Sequence, residues 1–400
     1  MIGPEQLEQI RAETPGVTTR ERGAHLLACG SSLMPQPVVD AIIDHTRLEA
    51  EIGGYEAKAA RAAELDQVYD KVASHVGAER HQIALVENAT VAWCAAFYAL
   101  PLEKGQRILT CEAEYASNYI AFLQRAKRDG VVIEVVPSDA SGALDVAALE
   151  AAMGSDVGLI AVTWVPTSGG LVNPAAEIGR VARAHGVPFL LDACQAVGQI
   201  AIDVAEIGCD FLSATGRKFL RGPRGTGFLY AADPWATTLE PVMLDLHSAT
   251  WVGRESYELR PDARRFENWE NAYALQAGLG AALDYAGAIG IDRIEARVGY
   301  LADFCRARIA EKPGLIVRDL GNQRCGIVSL EAEGRDATAL VAEMGHRGFA
   351  IGTSSAASTR VDFERRGLPT LIRIAPHYYN TEDEIAACVD ALSALMRIAA

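Results

Sequence analysis

Short apolar runs recur through the first part of the chain, and stretches with helical spacing separate them. Runs at 83–86, 107–110, 131–136, 158–165, 188–192, 211–213 and 227–230 predict strands. Segments 90–100, 116–128, 146–153 and 174–185 place their apolar residues about three to four apart and predict helices. Strands alternating with helices predict an α/β fold, with a mostly parallel seven-stranded sheet covered on both faces. Ahead of this unit, residues 1–22 are polar and predict a short helix and a turn at Pro15-Gly16. Residues 25–32 read as a strand running into a small-residue turn, and 37–43 as a helix with proline in its first turn. Residues 52–55 read as a loop and 55–76 as a helix.

The pattern changes after residue 270. An alanine-rich helix over 270–288 bridges to strands at 316–320, 326–331 and 371–374, with helices at 336–345 and 382–399. The last of these starts at Thr381-Glu382-Asp383-Glu384, which resembles a capping box. This is an α+β unit. The expected division is a large domain over 23–270 and a small domain made of 1–22 and 271–400.

Length agrees with two domains, since 400 residues exceed one small core. Half the residues are hydrophobic, which excludes wholesale disorder. A net charge of -15 argues against a nucleic-acid partner. Eight cysteines lie scattered with no CxxC pair, which reads as thiols in a reducing, cytoplasmic setting and not as a metal site. The N-terminal residues lack a basic start and an apolar stretch, so no secretory signal is expected. No apolar run reaches about 18 residues, so no membrane partner is expected either.

One lysine stands apart. Lys58, Lys71 and Lys127 fall on helical faces, and Lys104 and Lys312 beside turns. Lys218 alone follows a strand run and precedes a glycine-rich turn, Gly222-Pro223-Arg224-Gly225-Thr226-Gly227. Asp192 closes another run, with Gln195 three residues on. In parallel α/β sheets ligands sit beyond the carboxyl ends of the strands. Thr90, Glu114, Tyr115, Thr167, Asp192, Thr215 and Lys218 all follow such runs closely. A strand-end lysine with a strand-end aspartate points to pyridoxal 5′-phosphate (PLP). The amine forms an imine with the cofactor aldehyde, and the carboxylate keeps the pyridine nitrogen protonated.

Each candidate has a plainer alternative. Asp192 caps the following helix equally well, and Gln195 reads as a helix-surface residue or as a donor to the cofactor phenolate. Ala89 and Thr90 open a helix after a strand, which serves as a phosphate site and as a cap alike. Thr215 and Arg217 add a hydroxyl and a cation beside the lysine. Tyr115 stacks on the pyridine or fills a core. Arg373 interrupts an apolar strand, and its charge calls for an internal salt bridge or a substrate carboxylate held bidentate.

The Asp192-Ala193-Cys194-Gln195 and Thr215-Gly216-Arg217-Lys218 stretches, with the glycine turn beyond, resemble fold-type I PLP enzymes. Within them the chain resembles the class V aminotransferase and cysteine desulfurase superfamily, over nearly its whole length. The resemblance implies that Tyr115, in Glu114-Tyr115-Ala116-Ser117-Asn118, stacks on the cofactor where desulfurases generally have histidine. It implies a phosphate turn at Ala89-Thr90, a carboxylate-binding Arg373, and Thr167 in place of an asparagine near the cofactor oxygen. It also implies a homodimer with shared sites, with the segment 266–270, and Trp269 in it, reaching the partner's phosphate. Cys29 and Tyr55 are the further candidates for substrate contact, and Trp164, His247 and Trp251 for pocket lining.

One departure bears on the reaction. Desulfurases of this superfamily take sulfur onto a cysteine in a C-terminal loop. The matching residues 351–358, Ile-Gly-Thr-Ser-Ser-Ala-Ala-Ser, hold no cysteine, and Gly352 stands where an arginine is common. Residues 358–364 and 377–381 look like those of class V C–S lyases, such as the sulfoxide lyase of ergothioneine biosynthesis, and of isopenicillin N epimerase relatives. The expected activity is therefore β-elimination from a cysteine-derived amino acid, with transamination and epimerisation open. A PLP binder without catalysis, and a nucleotide enzyme using the glycine turn, are the other classes. The second lacks the lysine-serine/threonine ending of a P-loop.

Overall fold

The computed structural model describes residues 2–397. Seven strands form the main sheet: β1 (Ile83–Val86), β2 (Arg107–Cys111), β3 (Val132–Val136), β4 (Val157–Thr163), β5 (Phe189–Asp192), β6 (Phe211–Thr215) and β7 (Gly227–Ala231). Their spatial order is β1-β7-β6-β5-β4-β2-β3. All neighbours from β6 to β3 pair parallel, while β7 runs antiparallel to both β6 and β1. The seven expected runs thus become the seven strands, with ends moved by one or two residues.

Apart from the edge strand β3, the sheet is buried on both faces. In β5, Leu190 packs into one apolar cluster and Leu191 into the other, as the twofold alternation of a strand requires. Helices Ala89–Ala99 and Ala116–Asp129 bring Trp93, Phe97 and Phe122 to the first of these clusters. Helices Ala62–Val76, Ala175–His185 and Tyr273–Ile289 cover the other. Burying each such leucine or phenylalanine stabilises the fold by roughly 2 kcal/mol.

Six further strands complete the fold: β8 (Ala249–Gly253), β9 (Ser256–Leu259), β10 (Leu315–Val317), β11 (Val328–Ala332), β12 (Gly352–Ser354) and β13 (Leu371–Ile374). The last four form an antiparallel sheet in the order β10-β11-β13-β12. Its core is a separate apolar cluster, filled by helices Ile291–Ala310, Ala337–His346 and Glu382–Arg397. Ala24 and Leu26 belong to that same cluster, because residues 25 and 27 bridge to Ala350 and Ala375. The segment after residue 22 therefore serves the small core, across the boundary expected at 22/23.

Several local expectations need correction. Residues 52–55 are not a loop: Gly53, at φ +98°, ends helix Gln36–Ile52, and a new helix Gly54–Ala60 starts at once. The helix expected over 55–76 is broken at Arg61. Helix Ile291–Ala310 and the β8–β9 hairpin were not foreseen. The final helix is described to Arg397, so the end expected at Ala399 lies outside the described residues. Among the described residues no helix is long and apolar enough to cross a membrane.

Two glycines bring the chain segments of the site together. A Cβ at Gly227 would lie 2.8 Å from the Asn88 Cα, so only glycine lets the start of β7 meet the turn before helix Ala89–Ala99. Gly198, at φ +88°, would place a Cβ 2.3 Å from the Leu220 nitrogen. Its absence seats the segment after Gln195 directly on the lysine turn.

Candidate active site

The carboxyl ends of β4, β5 and β6 open on one cleft, with about 680 Å³ of space free of protein atoms. Ala89, Thr90, Tyr115, Thr167, Asp192, Gln195, Thr215, Arg217 and Lys218 all line it. Asn88, Asn118, Thr163, Val165 and Cys194 complete the lining. The side chains at 192 and 218 thus face one space, as a single small ring between them demands.

Lys218 follows β6 in the turn toward β7 and is 8% exposed. The turn is closed by Gly216 N–H to Thr226 O (3.0 Å) and Gly222 N–H to Gly216 O (2.8 Å). Asp192 ends β5 and is 6% exposed. Its Oδ1 accepts from Cys194 N–H (2.9 Å) and its Oδ2 from Asn118 Nδ2 (3.0 Å). No cation among the described residues pairs with it in a salt bridge, so two neutral donors are what holds this buried carboxylate at the cleft.

Glu114 holds that carboxylate's support in place. It is 3% exposed and accepts at Oε1 from Tyr115 N–H (2.9 Å) and Asn118 Nδ2 (2.8 Å). At Oε2 it accepts from Thr163 N–H (2.9 Å) and Thr110 Oγ1 (3.0 Å), and the Thr163 hydroxyl also reaches Oε1. Burial pushes its pKa up, against the pull of those donors, and nearby Asp192 adds to the rise. Each oxygen faces a backbone N–H that cannot reverse. We expect Glu114→Gln to set an amide NH2 against one of them and to cost about 1–3 kcal/mol, read as a lower urea midpoint at unchanged slope.

The N-terminus of helix Ala89–Ala99 opens on the cleft at Ala89 and Thr90. Asn88 caps it by accepting from Val91 N–H (3.0 Å), so the cap is Asn88 and not Thr90. Arg217 lines the cleft while its guanidinium donates to Gly30 O. The Thr215 hydroxyl donates to Thr226 O (3.1 Å), so its hydrogen is directed along the strand edge.

Other candidates lie elsewhere. Tyr55 is 77% exposed on helix Gly54–Ala60, and Trp269 is 48% exposed, so neither lines the cleft within one chain. Cys29 is buried and contributes its carbonyl, which accepts from Gln195 Nε2 (3.0 Å), with its thiol absent from the lining. Trp164 packs in the core, His247 pairs with buried Glu267 (2.8 Å), and Trp251 projects from the β8–β9 hairpin. Gln195 lines the cleft with its side chain engaged. Both its amide hydrogens are spent, on Cys29 O and on Thr167 Oγ1 (3.0 Å), and its Oε1 is buried without a partner. Arg373 sits on β13 outside the lining, and joins it through Thr167, whose carbonyl and hydroxyl oxygens accept from Nη1 (2.7 and 2.8 Å). No salt bridge to Arg373 exists among the described residues, and its buried Nε is unpaired.

Asn88, Asn118, Thr163 and Cys194 were given no role from sequence. Asn118 was within reach, four residues after Glu114 at helical spacing. Thr163 and Asn88 join the site through the strand ends and the glycine contact, which no local pattern carries.

These residues suit PLP. Asp192 matches a protonated ring nitrogen, Lys218 an aldehyde, and the helix start with Arg217 a phosphate, while the orphaned Gln195 Oε1 marks a polar group awaiting a ligand. The comparisons agree. Residues 24–388 match the model of the family described as aminotransferase class-V, and the chain belongs to that family. It is a PLP-dependent enzyme. The cysteine desulfurase of Dickeya dadantii (strain 3937) is 30% identical over 98% of this chain and 97% of its own. A probable cysteine desulfurase of Methanothermobacter thermautotrophicus is 28% identical over 94% of this chain and 95% of its own. In fold, the chain matches the Escherichia coli cysteine desulfurase CsdA, with TM-score 0.90 at 20% identity over 98% of this chain and 99% of that one. It also matches the cystine C–S lyase C-DES in complex with cysteine persulfide, with TM-score 0.85 at 22% identity over 95% and 99% of the two chains.

Proposed function

We propose that this enzyme eliminates a sulfur-bearing group from a cysteine-derived amino acid: R–S–CH2–CH(NH3⁺)–COO⁻ plus water gives R–SH, pyruvate and ammonium. The observation that carries the reading is the missing thiol. The segment over 351–358 meets the start of helix Ala116–Asp129, where Ser358 O accepts from Ala116 N–H (2.9 Å) next to Tyr115, and its sequence holds no cysteine. Among the described residues Cys194 is the sole cysteine in the lining. Burial pushes its thiol up, against the pull of Lys218, so it is a poor sulfur acceptor. Desulfuration remains the second reading, favoured by the names of the curated relatives.

PLP, when bound, supplies an electron sink for charge developing at the substrate Cα. The chain's residues do the rest. Arg373 binds the carboxylate by its Nε–Nη2 edge, Lys218 takes the Cα proton on Nζ, and Asp192 holds the ring nitrogen's proton. Tyr115 covers the ring and excludes water. Exposed Val242, Met243, Leu246, Trp251, Val252 and Trp269 support a homodimer, since a second copy would cover them.

A product screen tests the reading. With cysteine S-conjugates we expect equal pyruvate, ammonia and thiol. With cysteine and a reductant we expect pyruvate, where desulfuration gives alanine. Alanine, or amino transfer to an added ketoacid without free ammonia, would overturn elimination.

A further inference from the structure

We propose that Arg221 is a positioning residue: it pins the lysine turn to the segment after β13, so that Lys218 and Arg373 keep one spacing. Arg221 N–H closes that turn by donating to Lys218 O (3.0 Å). Its φ is +62°, and no other non-glycine residue has a positive φ among the described residues. Glycine adopts that conformation freely and a residue with a Cβ does not, so side-chain contacts hold Arg221 there. Arg221 is 1% exposed and forms no salt bridge among the described residues. A buried cation without a counter-ion is costly, and neutral groups surround this one instead. Nε donates to Leu33 O (2.8 Å), Nη1 to Tyr378 Oη (3.0 Å) and Nη2 to Thr14 Oγ1 (2.7 Å). The guanidinium carbon also lies 4.8, 5.1 and 5.5 Å from the ring centres of Tyr379, Tyr378 and Tyr285.

The tyrosines at 378 and 379 belong to the segment that leaves β13, the strand carrying Arg373. Ile372 and Ile374 of β13 pack in the small core, while Tyr378 and Tyr379 pack in the large one, so this segment joins the two. A second tie runs beside the first. Phe219 O, one residue after the lysine, accepts from His377 Nε2 (2.9 Å), and the His377 ring stacks on Tyr379 with centroids 5.2 Å apart. His377 Nδ1 accepts from Tyr378 N–H (2.8 Å), and burial and the nearby Arg221 charge hold the ring neutral. Both ties start within three residues of Lys218 and end on 377–379. The amine proposed to take the Cα proton and the cation proposed to hold the carboxylate are thus fastened to one connection. A misplacement of about 1 Å at reacting atoms costs about 10²-fold in rate, so this fastening bears on turnover.

The inference rests on Lys218 and Arg373 in the roles proposed above and not on which bond is cleaved, so the two fail separately: the product screen reads the reaction, and Arg221 variants read the positioning. Arg221→Gly keeps a backbone suited to φ +62° and removes the guanidinium alone. In the holoenzyme we expect kcat to fall by about 10–100-fold, with KM for the amino acid changed by less than about threefold. Hydrogen exchange, read without turnover, should quicken in the peptides over 216–222 and 377–379. Methylguanidinium matches the group removed, so adding it should slow that exchange and restore part of kcat. Arg221→Lys, which keeps the charge but not the forked donors, should fall between parent and glycine variant. Should the glycine variant fold poorly, Arg221→Met deletes the donors while filling the space between the rings. Parent kcat in a folded glycine or methionine variant overturns the proposal, even with a lowered urea midpoint, since Arg221 would then serve stability alone. So does a raised KM with kcat unchanged, and so does a lost kcat that methylguanidinium leaves unrestored while it slows the exchange.

Discussion

Replacing Lys218 with alanine should remove both the visible absorption of the holoenzyme and its turnover. The band expected at roughly 410–430 nm comes from the cofactor joined to a lysine amine. No other lysine lines the cleft, so none among the described residues can substitute. The same amine is the base at the substrate Cα, which doubles the loss. We expect kcat/KM to fall by about four orders of magnitude or more, as removing a covalent group that is also the base does elsewhere. The fold should survive, since Lys218 makes no salt bridge among the described residues and its turn is held by backbone bonds from Gly216 and Gly222. Circular dichroism and the urea midpoint check that point. Retention of the band at its wavelength and amplitude would place the attachment elsewhere.

Asp192→Asn should give the second largest loss, about two to three orders of magnitude in kcat with the band retained. Asparagine keeps the shape and one acceptor but not the charge. Without that charge the ring nitrogen is not held protonated, and the cofactor is a weaker sink for electrons from Cα. The substitution also disturbs the support. Asn118 Nδ2 donates to Oδ2 and Cys194 N–H to Oδ1, so the new NH2 must face a donor on one side. A modest drop in stability therefore accompanies the loss of rate. No helix follows Asp192, so equal kcat in the two proteins would mean that it only holds its turn through Cys194 N–H and the side chain of Asn118.

Much of this was legible before any coordinates. The seven apolar runs map onto β1–β7 because strands covered on both faces need continuous apolar residues, a signal that survives without partners and is weakest at edge strand β3. The lysine and aspartate stood out because each follows such a run. Helix Ile291–Ala310 escaped because arginines interrupt its apolar stripe: Arg297 and Arg306 are buried, paired with Glu382 (2.6 Å) and Asp319 (2.8 Å), partners distant in sequence. Hairpin β8–β9 carries exposed Trp251, Val252 and Tyr257 and so lacks the buried alternation that marks a strand. Tyr55 lies away from the cleft of its own chain because the helix restarts at Gly54, a turn that residue type does not announce. Gln195 is hard to read from sequence because a glutamine is donor and acceptor at once, and its partners here, Cys29 O and Thr167 Oγ1, come from far along the chain.

The bond between cofactor and lysine is covalent and can be located on the chain. Borohydride reduction of the holoenzyme fixes the cofactor to the amine that carries it, and mass spectrometry after proteolysis identifies the residue. The label should fall on Lys218 alone, at close to one per chain. A label on any of the other five lysines, or none on a protein that still turns over, would contradict it.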